Sequence, residues 1–143
     1  MAGKSHWLET QILNHLMRTT ALAQFGTVYV ALFTAAPTDD FTSGVPTGTE
    51  VSGGSYARAS VGTLDADWSL TAGSGATAGK VANAAAINFA TPTAGWGTVT
   101  HFAVMDALTG GNLLFWAPLT TSKTINSGDT VSFAIGALTY SED

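Results

Sequence analysis

The hydrophobic period changes once along this chain, and that change sets most of what the chain can fold into. Between Ser5 and about Thr20, Leu8, Ile12 and Leu16 recur at helical spacing, with Leu13 and Met17 beside them. This spacing lays an apolar stripe along one helix. Ser5 is placed to cap its start, Glu9 lies in the first turns and Arg18 in the last, as the helix dipole favours. From Thr27 onward the period is two, the residues turn β-branched, aromatic and Thr-rich, and turn formers interrupt roughly every 8 to 15 residues. No further helix recurs, which argues against a parallel α/β sheet. The expected fold is all-β, an antiparallel β-sandwich or jelly roll with one N-terminal α-helix. It forms a single domain, with a helical segment over 1–22 and the sandwich over 27–143.

Individual segments refine this picture. Thr27-Val-Tyr-Val-Ala-Leu-Phe-Thr34 is apolar on both faces, so it reads as a central strand covered from two sides, for instance by an opposite sheet and by the helix. Pro37 to Gly54 is rich in turn formers and reads as a long loop, the kind of segment that often serves in binding or assembly. Ser55 to Val61 alternates as a second strand. Asp65 to Gly79 reads as another loop, with Trp68 alone inside it. Val81 to Phe89 is a third strand, weakened by three alanines, and Thr98 to Met105 a fourth. Asp106 to Gly111 predicts a tight hairpin, because paired glycines supply positive φ at little cost. Asn112 to Ala117 is the fifth strand, with Pro118 at an edge or a strand end. Thr124 to Asp129 turns the chain, Val131 to Ile135 is the last strong strand, and Leu138 and Tyr140 extend it.

Composition then limits function. Only 10% of the 143 residues are charged, while 45% are hydrophobic. An average soluble domain is about 25% charged. Thr, Ser, Ala and Gly stand where Lys, Glu and Arg usually would, and such a surface is easily dehydrated against a protein neighbour. The net charge is −5, and Lys4, Arg18, Arg58, Lys80 and Lys123 are scattered, so no stripe exists to neutralise phosphates. Nucleic-acid binding is set aside, as is an anionic membrane surface. The most apolar stretch, Ala21 to Ala36, is interrupted by polar residues and falls short of the ~20 needed to span a bilayer. The N-terminus lacks the pattern of a secretory signal, so synthesis in a cytoplasm is expected. With no cysteine, disulfides and thiolate metal sites are excluded.

The residues that could carry chemistry do not assemble into a known motif. Asp39-Asp40 and Asp65-x-Asp67 sit in loops where carboxylates could hold Ca²⁺, yet neither has the alternating acids, Gly and Glu of a complete ligand set. His6 and His15 lie about 180° apart around the helix and His101 lies on a strand, so no metal pair forms. No nucleophile elbow or phosphate loop is present. Catalytic residues, metals and cofactors are therefore not expected. Trp7, Trp68, Trp96 and Trp116 could stack on sugar rings if they share a surface. The candidate interface or glycan contacts are Trp7, Trp68, Trp96, Asp39 and Asp40.

The long block from Asn83 to Leu114, which contains Gly-Trp-Gly-Thr-Val-Thr-His and Thr-Gly-Gly-Asn-Leu-Leu, resembles a tailed-phage virion protein family. Leu32-Phe-Thr-Ala-Ala-Pro37 is similar to the end of the first strand in that family, and Leu119 to Phe133 also fits. Gly54-Ser-Tyr-Ala-Arg58 matches a Gly-Tyr-Ala-Arg segment with one Ser inserted. The resemblance covers almost the whole chain. It implies a virion structural protein without catalytic residues, of a kind labelled tail-fibre or minor tail protein, while small β-sandwiches of this size also serve as capsid cement. The expected function is capsid decoration, by a homo-oligomer, favoured as a trimer, that contacts the major capsid protein. A tail or tail-fibre-base adaptor, with or without glycan binding, is the alternative.

Overall fold

The computed structural model describes residues 3–22, 24–38, 49–71 and 79–141. The elements run β1 (Gly3–Lys4), α1 (His6–Met17), β2 (Thr27–Phe33), β3 (Ala59–Gly62), β4 (Trp68–Thr71), β5 (Lys80–Asn83), β6 (Ile87–Asn88), β7 (Gly97–Met105), β8 (Leu113–Ile125), β9 (Ser132–Phe133) and β10 (Thr139–Ser141). They form one five-stranded sheet in the order β1-β8-β7-β2-β3 and two small ones, β10-β5-β4 and β6-β9. Every pairing is antiparallel. The protein is thus mostly β with a single short helix among the described residues.

The two-faced apolar character of β2 follows from its place in the large sheet, between β7 and β3. Val28, Val30 and Leu32 point to one face and join Phe102 and Val104 of β7 in the main core, where Ile87 and Leu138 also lie. Ala31 and Phe33 point the other way and pack with Ala103, Met105, Leu113 and Trp116 in a second buried cluster. A period of two with both faces buried is what a continuous apolar run encodes. Removing a fully buried ring such as Phe33 would cost about 3–5 kcal/mol.

Several expected elements form differently. The helix packs mainly on β8 rather than over β2. It ends at Met17, and its stripe is only half used: Leu8 and Ile12 are half-buried while Leu13, Leu16 and Met17 are exposed. Ser5 caps the helix as its position suggests, accepting a hydrogen bond from the Leu8 amide at 3.1 Å. Its hydroxyl also donates to the Leu113 carbonyl, and its amide donates to Leu114 O at 3.0 Å. One small buried side chain therefore both starts the helix and ties it to the sheet. The chain then folds back, with the Leu22 amide donating to Nδ1 of His15 and Phe25 packing on Trp7.

The loop expected around Trp68 holds strand β4, and the single strand expected over Val81 to Phe89 is two strands in different sheets. Asn83 makes that break. Its buried amide donates to Ala85 O and Ala134 O at 2.7 and 2.8 Å, and its Oδ1 accepts from the Leu138 amide at 2.9 Å. The same contacts separate β9 from β10, which were expected to be continuous. The second strand begins only at Ala59, after a turn in which Gly53, Gly54 and Ser55 all have positive φ. The hairpin at Asp106–Gly111 forms as expected, with the Asp106 carboxylate accepting from the backbone amide and side-chain Nδ2 of Asn112. Strand β8, expected to stop near Ala117, continues through Pro118 to Ile125. In that extension its register jumps: Pro118 faces His101 and Lys123 faces Val99, so Leu119–Ser122 bulge opposite Thr100. Among the described residues no helix is long and apolar enough to cross a membrane.

The double role of Ser5 is testable. Ser5→Ala should lower unfolding stability by about 1–2 kcal/mol in urea titration, the usual cost of a lost cap and a lost buried hydrogen bond. It should also speed hydrogen exchange selectively over Leu8–Met17. Unchanged exchange in α1 would mean that its apolar contacts alone hold it.

Candidate functional site

The strongest polar constellation among the described residues surrounds Arg58, immediately before β3. Arg58 is buried, and four of its hydrogen bonds are resolved. Nε and one terminal nitrogen donate to the two oxygens of Glu50 at 2.8 and 2.7 Å, a bidentate fork. The other terminal nitrogen donates to Ala107 O and Gly110 O at 2.7 and 2.8 Å, inside the β7–β8 hairpin turn. Glu50 is held in turn by backbone bonding around it, since Thr34 N donates to Thr49 O and Val51 N to Leu32 O. Part of the expected Pro37–Gly54 loop is therefore strand-like, continuing the edge of β2 beyond β3.

Tyr56 completes the assembly. Its hydroxyl donates to Glu50 Oε1 at 3.0 Å and accepts from the Leu32 amide at 3.0 Å. Burial, followed by the nearby Glu50 carboxylate, pushes the pKa of this phenol well above its ordinary value. Its ring meets Trp96 edge-on at 5.2 Å, and Phe89 lies against both rings. Trp96 in turn donates Nε1–H to Gly54 O at 3.0 Å. At Gly54, φ is +55° and an added Cβ would lie 2.8 Å from Ala94 O, so only glycine fits. The arrangement joins β2, the segment leading to β3, the Trp96 turn and the β7–β8 hairpin.

Of the residues singled out from sequence, Trp96 belongs to the main core and Trp7 and Trp68 pack against it. Trp96 is buried, with its ring packed inside the fold. Trp68 is half-buried on β4 and donates Nε1–H to Gly62 O at 2.8 Å. Trp7 is half-buried against Phe25, and Trp116 lies in the second cluster beside His101. Burial holds the His101 pKa below its usual value, which favours the neutral ring. Asp67 closes a turn by accepting from the Leu64 amide at 3.0 Å. Asp39 and Asp40 lie outside the described residues. Among the described residues, no group of three His, Asp or Glu side chains is placed to hold a metal. In the sequence Arg58 is one of five scattered bases, and its place in the Tyr-Ala-Arg run within the resemblance is the signal for its role.

The family model of the podophage GP4 fiber I protein gp80 matches residues 3–141. The chain belongs to this family. The match takes in the capped helix, all three sheets and every partner of Arg58 described above. It makes the chain a tailed-phage virion structural protein of a fibre-like family, consistent with a site whose polar groups bind one another. No curated protein matches the chain.

Membership in the fibre family sets no pH behaviour, but the Tyr56 contacts do. Because the folded phenol has a raised pKa, its contribution is fully present below the unfolded value of about 10 and is lost as pH rises above it. Chemical denaturation of the wild type should therefore show stability falling steeply above about pH 10. Tyr56→Phe should start lower by about 1–2 kcal/mol at neutral pH and show a shallower alkaline slope. Parallel slopes would show that Tyr56 ionises as freely folded as unfolded.

Proposed function

We propose that the protein is a non-enzymatic building block of a virion fibre or similar appendage, assembled as a homo-oligomer, with a trimer favoured. The observation that carries this reading is the family match across residues 3–141. Two features of the chain support it. Among the described residues, the buried polar side chains Arg58, Asn83 and Ser5 all bond within the fold. With only 10% charged residues, the chain can bury large surfaces against neighbours with little desolvation of charge. We also infer that the two small sheets together act as the second layer of a β-sandwich against the large one, since Ile87, Phe133 and Leu138 pack into the main core.

Capsid decoration is the second reading, and the same uncharged composition favours it, because a shell-bound subunit also buries most of its surface. Immuno-electron microscopy of purified particles separates the two. Label along a tail or projecting fibre is expected, and label spread over the head shell would replace the fibre reading with decoration. Light scattering coupled to size-exclusion chromatography should give the mass of three chains; a monomer at all concentrations would contradict the oligomer.

A further inference from the structure

Strand β3 ends the large sheet, and β6 of a different sheet lies beside it. Between them is a hollow of about 290 Å³, with Ser60, Val61 and Gly62 on one side, Ile87 and Asn88 on the other, and Asp67 as the one charged residue of its lining. Asp67 is held firmly there. Its Oδ2 accepts from the Leu64 amide at 3.0 Å, its amide donates to Leu64 O at 2.8 Å, and its carbonyl accepts from the Ala84 amide at 2.9 Å. Gly62 makes room for the carboxylate, because an added Cβ would collide with Oδ2 and lie 2.7 Å from Cγ of Asp67. Gly62 is itself fixed by the bond from Trp68 Nε1–H to its carbonyl at 2.8 Å. Among the described residues, Oδ1 of Asp67 and the side chains of Ser60 and Asn88 have no hydrogen-bond partner within the fold.

This set of groups selects a ligand class. An anion would be repelled by Asp67, with no base on the lining to offset it. An apolar molecule would strip water from the carboxylate without replacing its hydrogen bonds. A calcium ion takes about six to eight oxygen ligands, and one carboxylate supplies too few. An ammonium group only donates, so it leaves the amide N–H groups of Asn88 unanswered. A sugar hydroxyl both donates and accepts, so one ring can donate to Asp67, exchange bonds with Asn88 and Ser60, and lay its C–H face on Val61 and Ile87. The size agrees, since pockets for larger drug-sized ligands run to roughly 300–1,000 Å³.

We propose that this hollow binds one neutral sugar ring, with the Asp67 carboxylate as the acceptor that fixes it. Such a recognition site goes beyond the structural role and does not depend on where in the virion the chain sits. The full chain is titrated with the methyl glycosides of glucose, galactose, mannose, rhamnose and N-acetylglucosamine, and binding is read by saturation-transfer NMR. At least one should bind saturably. Asp67→Asn keeps an acceptor for the Leu64 amide and should weaken that binding about tenfold or more, as loss of a charged acceptor does. Asn88→Ala, at an exposed position, should weaken it as well. Asp129→Asn is the matched control, because Asp129 closes a turn in the same way, accepting from the Asn126 amide at 2.8 Å, and lies outside the hollow. This variant should bind as the wild type does. Saturable binding by none of the five glycosides, or binding that Asp67→Asn or Asn88→Ala leaves unchanged, overturns the proposal and leaves the virion assignment standing.

Discussion

A guanidinium taken out of water must find partners for nearly all of its donors, and Arg58 finds them on two separate stretches of the chain. Glu50 neutralises it through two parallel hydrogen bonds, while the carbonyls of Ala107 and Gly110 take a third nitrogen. Tyr56 then links the Glu50 carboxylate to the Leu32 amide. The central strand β2, the approach to β3 and the tip of the β7–β8 hairpin are thereby fixed relative to one another. A buried pair of this kind adds little net stability compared with a well-packed apolar replacement, but losing one partner is costly. Its effect is to favour one arrangement of these segments over others.

That arrangement is consistent with the structural role proposed above. Among the described residues the buried polar side chains bond within the fold, and only 10% of the chain is charged. Such a molecule holds its shape through Arg58, Asn83 and Ser5 and offers neighbours a surface that is cheap to dehydrate.

The parts of the fold that were legible in sequence are those set by local periodicity and turn chemistry. The capped helix, the doubly buried β2 and the glycine hairpin before β8 are encoded in spacing that any short window contains. What stayed hidden depends on contacts between distant residues. Asn83 interrupts an apparently continuous strand by bonding to Ala134 and Leu138, about 50 residues away in sequence, and no local pattern marks it. Trp68 looked isolated in a loop because its partner, Gly62 O, lies across a turn. Pro118 reads as a strand end, yet β8 passes through it and accommodates the irregularity in the bulge that follows. Arg58 was the largest omission. A lone basic residue in an uncharged chain carries no sequence mark of burial, and only its place in the Tyr-Ala-Arg run hinted that it mattered.

If the Arg58–Glu50 fork organises the fold, the two residues must be strongly coupled. A double-mutant cycle by chemical denaturation, using Arg58→Met, Glu50→Gln and the pair together, measures this directly. Each single change should cost about 3–5 kcal/mol by leaving a buried partner unmatched, and the double variant should cost at least about 2 kcal/mol less than their sum. Single effects below about 1 kcal/mol that simply add, as for an exposed surface pair, would contradict the account.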